Sequence, residues 1–370
     1  MTDEIDARVA AATRHWAARF TANGTDYGDF AATVARISRW ENWCREWGVT
    51  ATRYEDAARQ ASAAGLALTA GGAWRRAALA WHWGKFVFVE HPDEQRAAHD
   101  RCVEDFRRGV ATLSPPAELV EVPYAGAQLR AYLRRPDDRP TAAPSPVVIM
   151  VPGLDSTKEE LQATAEYFLA RRLATIAIDG PGQGEAGYEL PIEPAYEKVG
   201  TAVVDYLSTR SDVNPARVGL FGVSLGGYYA ARCAAYEKRL TATVALAGPY
   251  QFDLDWDDLP QQTRATFEVR AGAASAAQAR ELAGRLTLAE AAREITRPLL
   301  VVGGARDTIV PADHAERLAA EAPGAELLLY PDGSHGVTNR AYESRSRIAD
   351  WLAAHLEQPA AERPPGYRAG

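Results

Sequence analysis

The chain has 370 residues, of which 47% are hydrophobic and 24% are charged, and its formal charge at pH 7 is −8. This length predicts two domains, or one large and one small, and the acidic balance argues against a surface for nucleic acid or anionic membrane. No run approaches the roughly 20 apolar residues that cross a bilayer, and the acidic start, MTDEIDARVA, lacks a signal-peptide pattern. The three cysteines are scattered, which favours neither a disulfide framework nor a metal site: Cys44, Cys102 and Cys233. We therefore expect a soluble cytoplasmic protein without a metal or cofactor.

Residues 1–113 are predicted to form an all-helical domain. Seven of the nine tryptophans fall before residue 84, in a region rich in Ala, Arg and Glu. Apolar residues at intervals of three and four predict one helix face: Ile37, Trp40, Trp43 and Trp47. We expect Gly48 and Gly65 to end successive helices, with further helices over 51–64, 67–87 and 93–112.

The sequence pattern changes after Pro115 and Pro116. Eight short apolar or β-branched runs follow, and the later ones are separated by stretches long enough for helices: LVEVPY (119–124), AQLRAYLRRP (127–136), PVVIMV (146–151), ATIAID (174–179), RVGLFG (217–222), ATVALA (242–247), PLLVVGG (298–304) and ELLLYP (326–331). Two alternating strands followed by fully apolar ones predict an antiparallel edge on a buried, mainly parallel sheet. We assign residues 114–360 to one α/β domain and 361–370 to a flexible tail.

Ser224 lies in the pattern G-V-S-L-G, between Gly222 and Gly226. Ser224 follows the predicted strand RVGLFG and precedes the predicted helix GYYAARCAAY. This strand–turn–helix context is the one that a G-x-S-x-G nucleophile elbow requires, and the glycines relieve crowding in its strained turn. Ser224 is therefore the candidate nucleophile, and the alternative is a serine in an ordinary glycine-rich turn.

A serine hydroxyl needs a base to take its proton and a carboxylate to orient that base. In the order expected after an elbow, the acid and then the histidine each follow a strand. Asp307 comes three residues after the run PLLVVGG, and His335 comes shortly after ELLLYP. Both should therefore lie at the sheet edge that carries Ser224, which makes Asp307 and His335 the candidate partners.

Other histidines and acids fit these roles less well. We expect His314, at the start of a predicted helix, to be a solvated N-terminal residue, and Asp332 is too near His335 along the chain to reach its ring from behind. Three more histidines belong to the helical region and are expected at its surface or in its packing: His82, His91 and His99. The pattern shows no spaced cluster of metal ligands.

Attack on a carbonyl builds negative charge on oxygen, which preorganised N–H donors stabilise. One candidate donor is the backbone amide of Leu225, directly after the nucleophile. The second is the amide of Leu154, in the loop VPGLDSTKEE, where Gly153 allows a close backbone approach. This loop also has the composition of an ordinary strand-to-helix turn, and the two interpretations are compatible.

These motifs together resemble the α/β-hydrolase family. The segments GLDSTKEE, DGPGQGE and GVSLGGYYA, preceded by a tryptophan-rich helical domain, are similar to the 2,6-dihydroxypseudooxynicotine hydrolase group, which includes bacterial C–C bond hydrolases and fungal polyketide-shortening hydrolases. The resemblance covers nearly the whole chain. It implies an α/β-hydrolase core with an eight-stranded sheet, a helical cap over the active site, a small-molecule substrate and a homodimer.

The resemblance also implies an acidic residue after the sixth strand. Four aspartates in GPYQFDLDWDD are candidates, and Asp255 fits best by its distance from the serine: Asp253, Asp255, Asp257 and Asp258. An aspartate is shorter than the glutamate expected there, and a solvated acidic loop is the alternative. Tyr250 and Trp83 are further candidates for substrate binding, although core packing is the simpler interpretation of Trp83 and of its neighbour Trp81.

The elbow and its two candidate partners thus predict a serine hydrolase, and the resemblance implies cleavage of a C–C or ester bond in a small, aromatic or polyketide-like substrate of secondary metabolism. A non-hydrolytic enzyme that eliminates an acyl group with the same residues is an alternative. A peptidase of the prolyl-oligopeptidase type is disfavoured because its leading domain is a propeller, and an inactive scaffold is disfavoured because none of the three candidate positions is substituted.

Overall fold

The computed structural model describes residues 5–136 and 144–357. The amino-terminal part is helical, as predicted, and its five α-helices are α1 (Ala7–Ala22), α2 (Tyr27–Val34), α3 (Trp43–Ala63), α4 (Ala67–Lys85) and α5 (Pro92–Gly109). We call the segment from Ala7 to Gly109 the cap. A division of the chain at residue 113 stays a prediction, and the predicted tail, 361–370, lies outside the described residues.

The prediction that Gly48 ends a helix is wrong. Helix α3 continues through this position because Gly48 lies under the indole of Trp81, and a Cβ on it would be 2.8 Å from that ring. The absence of a side chain therefore serves close packing. Gly65 does follow the end of α3, with a φ of +72° that suits glycine. The predicted face of Ile37, Trp40, Trp43 and Trp47 is buried in one cluster, although only the last two residues lie on α3.

The rest of the described chain is organised around one eight-stranded sheet, as the sequence predicts. Its strands are β1 (Ala117–Tyr124), β2 (Ala127–Arg134), β3 (Ser145–Val151), β4 (Ala174–Ile178), β5 (Val213–Val223), β6 (Leu240–Leu246), β7 (Leu299–Gly304) and β8 (Ala325–Tyr330). They follow the order β1-β2-β4-β3-β5-β6-β7-β8. Strands β1 and β2 pair antiparallel, β2 pairs antiparallel with β4, and β3 to β8 are parallel. This is the α/β-hydrolase fold.

Burial follows this topology. Every residue of β3, β4 and β7 is buried, whereas β1 at the edge alternates between exposed and buried positions in its second half. A parallel sheet needs apolar residues on both faces because helices cover both. Seven helices follow the first strands: α6 (Gln162–Leu169), α7 (Glu197–Ser208), α8 (Leu225–Tyr236), α9 (Gln261–Arg270), α10 (Ala276–Gly284), α11 (Ala312–Glu321) and α12 (Ala341–Glu357).

Alternate residues of β3 show how the two faces are covered. Val147, Ile149 and Val151 join the core beneath α7 and α8, while Val148 and Met150 join the core beneath α6 and α12. The period of two is the one expected of a strand. Within the described ranges, every helix is too short or too polar to span a lipid bilayer.

The cap contacts the carboxyl edge of the parallel strands. Helix α1 packs on the segment that contains His335, and the ring of Trp16 lies 6.2 Å from the imidazole of His335, in an edge-on arrangement. The loops after β3, β5, β7 and β8 all end at this edge, where ligands bind in open α/β sheets. Reactive side chains from distant parts of the sequence therefore lie close together beneath α1.

Candidate active site

Ser224 occupies a strained turn between β5 and α8. Its φ of 58° and ψ of −125° are unfavourable for a residue with a Cβ, and its amide donates to the carbonyl of Leu246 at 2.8 Å. A Cβ on Gly222 would overlap the carbonyl oxygen of Gly226, and a Cβ on Gly226 would overlap that of Val151. The two glycines therefore permit the sharp turn that presents the hydroxyl at the sheet edge.

His335 connects Ser224 with Asp307. Its Nε2 lies 2.9 Å from the Oγ of Ser224, and its Nδ1 lies 2.8 Å from the Oδ2 of Asp307. An ionised carboxylate only accepts hydrogen bonds, so Nδ1 carries the proton and Nε2 presents its lone pair to the hydroxyl. The structure therefore brings the three predicted residues together in the arrangement that activates a serine.

The carboxylate of Asp307 is held from a second side. Its Oδ1 accepts the amides of Ile309 at 2.8 Å and of Val310 at 3.0 Å. Burial opposes the charged form, but His335 and these two amides together bring the pKa of Asp307 below its ordinary value. The acid is therefore ionised and fixed in direction, as the orienting member of such a chain must be.

The loop after β3 approaches Ser224 closely. A Cβ on Gly153 would lie 3.1 Å from the Cβ of Ser224, so the backbone at this point is almost in contact with the serine. In the described part of the chain, no hydrogen-bond acceptor is paired with the amide of Leu154 or of Leu225. Both predicted oxyanion donors are therefore free, and the loop that carries one of them lies beside the hydroxyl.

A buried ammonium fixes this loop. The Nζ of Lys158 lies 2.8 Å from Asp179, 2.6 Å from Glu185 and 2.8 Å from Glu159. Oxygens of the three carboxylates lie within 4.8 Å of one another, a spacing that suits a metal ion. Burial lowers the pKa of Lys158, but the carboxylates raise it well above its ordinary value. The cation among these acids is thus a side chain, which anchors the loop to the segment after β4.

Two cavities meet at Ser224 and His335. The first, about 30 Å³ in volume, is lined mainly by apolar residues and by two acids, Asp155 and Asp255, and we call it the Asp255 cavity: Trp16, Pro249, Phe252, Leu259, Ile309 and Val310 are also among its residues. The second, about 60 Å³, we call the Arg345 cavity: Arg19, Asn23, Ser156, Glu160, Thr338 and Arg345 are among its residues. The serine therefore has access to two chemically different spaces.

Among the four candidate aspartates, only Asp255 lines a cavity that contains Ser224. Its Oδ2 lies 2.6 Å from the Nε2 of His314, whose Nδ1 accepts the amide of Tyr250 at 2.9 Å. A backbone N–H can only donate, so Nδ1 is unprotonated and the proton lies on Nε2, directed at the carboxylate.

The prediction that His314 is solvated is therefore wrong, because its ring is buried under the segment that follows β6. The sequence held no signal for this pair, since its members are 59 positions apart. The other three aspartates point elsewhere: Asp253 accepts from Gln251, Asp257 pairs with Arg280, and Asp258 is exposed.

Trp83 and Tyr250 were candidates for substrate binding, and the structure places both outside the lining of the two cavities at Ser224. The indole of Trp83 is buried within the cap, where it stacks on Phe20 at 3.9 Å and donates to Thr25. The hydroxyl of Tyr250 donates to Glu321 on α11, and only its backbone supports the site.

Trp16 is the cap aromatic that reaches the site, and the sequence analysis missed it. A signal was present, because apolar residues of α1 recur at intervals of three and four: Val9, Ala12, Trp16 and Phe20. The individual helices that the sequence predicts begin only near Ile37, so Trp16 is not among the predicted site residues.

An ion cluster joins α1 to the loop after β3. Arg19 binds Glu160 through Nε and Nη2, each at 2.7 Å, and reaches Asp155 at 3.2 Å. Burial opposes both charges, yet each partner stabilises the other, so the pKa of Glu160 is well below its ordinary value and that of Arg19 is raised. Glu160 also contacts the Nε2 of buried His82, whose pKa is lowered chiefly by burial. Ion pairs thus hold α1, which covers the site, against the loop after β3.

Comparison with known proteins shows the family of the chain. Residues 162–359, more than half of the chain, match the sequence profile of the prolyl oligopeptidase family. The chain belongs to this α/β-hydrolase family. The hydrolase is 32% identical to the 2,6-dihydropseudooxynicotine hydrolase of Paenarthrobacter nicotinovorans over 337 residues, which cover 90% of each protein.

A crystal structure of 2,6-dihydroxy-pseudo-oxynicotine hydrolase superposes with a TM-score of 0.84 at 31% identity, covering 92% of this hydrolase and 95% of that chain. The 20-hydroxy-prefusarin hydrolase of Gibberella moniliformis is 33% identical over 241 residues, which cover 61% of this hydrolase and 57% of that protein. The match thus spans little more than half of the fungal relative. The hydrolase is an enzyme related to C–C bond hydrolases and to polyketide-associated hydrolases.

Proposed function

We propose that the hydrolase cleaves a C–C or ester bond beside a carbonyl of a small, aromatic or polyketide-like substrate, through an acyl-enzyme on Ser224. The hydrogen-bonded chain Ser224–His335–Asp307, with contacts of 2.9 and 2.8 Å, carries this proposal. The names of the similar proteins support the choice of chemistry. Cytoplasmic location and a homodimer remain predictions.

In the first step, the Nε2 of His335 takes the proton of Ser224 while the serine oxygen forms a bond to the substrate carbonyl carbon. The carbonyl oxygen becomes an oxyanion, which the amides of Leu154 and Leu225 bind. Each such donor contributes about 3 kcal/mol of transition-state stabilisation. Asp307 stabilises the imidazolium that forms.

In the second step, the tetrahedral adduct collapses and the bond to the leaving group breaks, with the proton of His335 transferred to that group. An alkoxide or phenolate takes this proton as it leaves, whereas a carbon leaving group departs as an enolate that is then protonated, which requires an adjacent carbonyl. A water molecule, deprotonated by His335, then attacks the acyl-enzyme and releases the acid. Elimination of an acyl group with the same residues remains the second candidate.

The Asp255 cavity suits the organic part of the substrate. Its apolar residues would pack on a ring, and the carboxylate of Asp255, held by His314, would accept a hydrogen bond from a substrate hydroxyl. A cavity of about 30 Å³ holds about one water molecule, and an aromatic ring needs on the order of 150 Å³. We therefore propose that Trp16 and the cap move when substrate enters.

Labelling and turnover test this proposal. A fluorophosphonate probe should label the wild-type protein at Ser224, and Ser224→Ala should lose labelling and at least ~10⁴-fold in turnover of its best substrate from a panel of aryl esters and β-diketones. Ser208→Ala is the matched control, because this serine ends α7, lines neither cavity at Ser224 and donates its hydroxyl to the carbonyl of Val204. If Ser224→Ala kept more than about 1% of the wild-type turnover, Ser224 would not be the nucleophile.

Labelled solvent distinguishes the two candidate reactions. Hydrolysis in H₂¹⁸O places one ¹⁸O in the released acid during acyl-enzyme breakdown. Elimination gives an alkene whose carbon skeleton carries no solvent oxygen. An alkene product without a hydrolysed substrate would favour the second candidate.

A further inference from the structure

Arg345 on α12 lines the second cavity at Ser224, and the mechanism above does not use it. The side chain is buried, with 9% of the residue exposed. Its Nη1 donates to the carbonyl of Ala22 at 2.9 Å, and its Nη2 donates to the Oδ1 of Asn23 at 2.6 Å. Within residues 5–136 and 144–357, Arg345 forms no ion pair with a carboxylate, and Glu160 acts on its charge only without a direct contact. Its two acceptors are neutral, so its charge has no direct counterion.

Arg19, the other arginine that lines this cavity, differs from Arg345 because it forms ion pairs. Arg19 has Glu160 and Asp155, and Glu160 is already saturated, because it also accepts from Asn23 at 2.7 Å and from Ser156 at 2.5 Å. Glu160 is therefore not free to bind Arg345. Burial lowers the pKa of Arg345 and outweighs the opposing effect of Tyr167 and Glu160, whereas the carboxylates bound to Arg19 raise its pKa.

A buried cation without a counterion is costly unless an anion joins it. A guanidinium has five N–H donors, and the two contacts above leave three of them. Their planar arrangement matches a carboxylate better than it matches a single oxygen atom. The cavity volume of about 60 Å³ accommodates roughly two water molecules, which is also about the size of a carboxylate group.

We propose that the Arg345 cavity binds a carboxylate of the substrate. Ser224 lines the same small cavity, so the carboxylate lies a few bonds from the carbonyl that the serine attacks. This inference rests on the proposed function and narrows the substrate class to acids: half-esters or keto acids whose apolar part occupies the Asp255 cavity. Occupation of the cavity by water alone is the competing outcome.

A pair of esters that differ in one charge tests the subsite. We suggest 4-nitrophenyl hydrogen fumarate and its neutral methyl ester, since the trans double bond prevents the carboxylate from attacking its own ester. The cysteines of the described chain are buried, which disfavours reaction with the double bond. In the wild type, kcat/KM for the anionic ester should exceed that for the neutral ester at least tenfold.

Three variants assign the preference to Arg345. The anionic-to-neutral ratio of kcat/KM should fall at least tenfold in Arg345→Met and should be partly kept in Arg345→Lys, which retains the charge. Arg340→Met is the matched control: it makes the same change in net charge at a half-exposed side chain paired with Asp332, and it should keep the wild-type ratio. An unchanged ratio in Arg345→Met would overturn the inference.

If Arg345→Met does not fold, inhibition of the wild-type protein tests the carboxylate subsite instead. Monomethyl succinate should inhibit hydrolysis of the neutral ester with an inhibition constant at least tenfold lower than that of dimethyl succinate. Equal constants, or equal turnover of the two fumarates, would show that the cavity does not select a carboxylate. Failure of the proposed function gives a different result, in which Ser224 is not labelled and neither ester is hydrolysed.

Discussion

Replacing Arg19 by methionine removes the charge that attaches α1 to the loop after β3 and leaves Glu160 buried without its main partner. The two side chains are 11% and 4% exposed, so solvent screens them little. Two charges about 4 Å apart at an effective dielectric constant of ~20 attract by about 4 kcal/mol, and breaking a buried pair typically costs about 3–5 kcal/mol. We therefore expect Arg19→Met to lower the free energy of unfolding by about 4 kcal/mol.

Urea unfolding followed by tryptophan fluorescence measures this loss. With an m-value of ~3 kcal/mol/M, the midpoint should fall by about 1.3 M. Arg14→Met is the matched control, because Arg14 is exposed on the same helix, and it should change stability by less than about 0.5 kcal/mol.

A double-mutant cycle shows whether the two charges interact directly. The double variant Arg19→Met/Glu160→Met should be more stable than the sum of the two single losses predicts, by about 3 kcal/mol. Additivity within about 0.5 kcal/mol, or a loss below 1 kcal/mol in Arg19→Met, would refute the reasoning.

Two further predictions concern histidines near the site. His314→Phe leaves the amide of Tyr250 and the carboxylate of Asp255 without their ring partner, so the free energy of unfolding in urea should fall by about 1–3 kcal/mol; a change below about 0.5 kcal/mol would contradict the pair. Burial, with a smaller effect of His335, lowers the pKa of His15 to about 4, so its stabilisation is complete above the unfolded pKa near 6.5 and is lost as pH falls toward 4. The wild type should lose about 2 kcal/mol more than His15→Gln between pH 7.5 and 4.5, measured by urea unfolding at each pH, and a constant difference would exclude this contribution.

Sequence patterns predicted the sheet and the reactive side chains because both depend on local signals. Each strand is a short apolar run, and Ser224, Asp307 and His335 each follow such a run at the edge where parallel strands end. The glycines of the elbow also carry a local signal, since the turn excludes a Cβ at these positions.

Contacts between distant segments left no such signal. His314 meets Asp255 across 59 positions, and Arg19 meets Glu160 across 141. A buried arginine such as Arg345 has the same local sequence pattern as an exposed one on the same helix. At Gly48 the local signal misleads. A glycine often marks the end of a helix, but here it lies within α3 because Trp81 approaches too closely for any side chain.

The position of α1 over the serine has a consequence for how such a molecule diversifies. The strands supply the hydroxyl, the imidazole and the acid, whereas Trp16 and Arg19 come from a helix near the start of the chain. Substitutions on the face of α1 that lines the cavities can change their shape, while the reactive groups keep their spacing. New substrates can thus be acquired at the entrance, with the chemistry inherited unchanged.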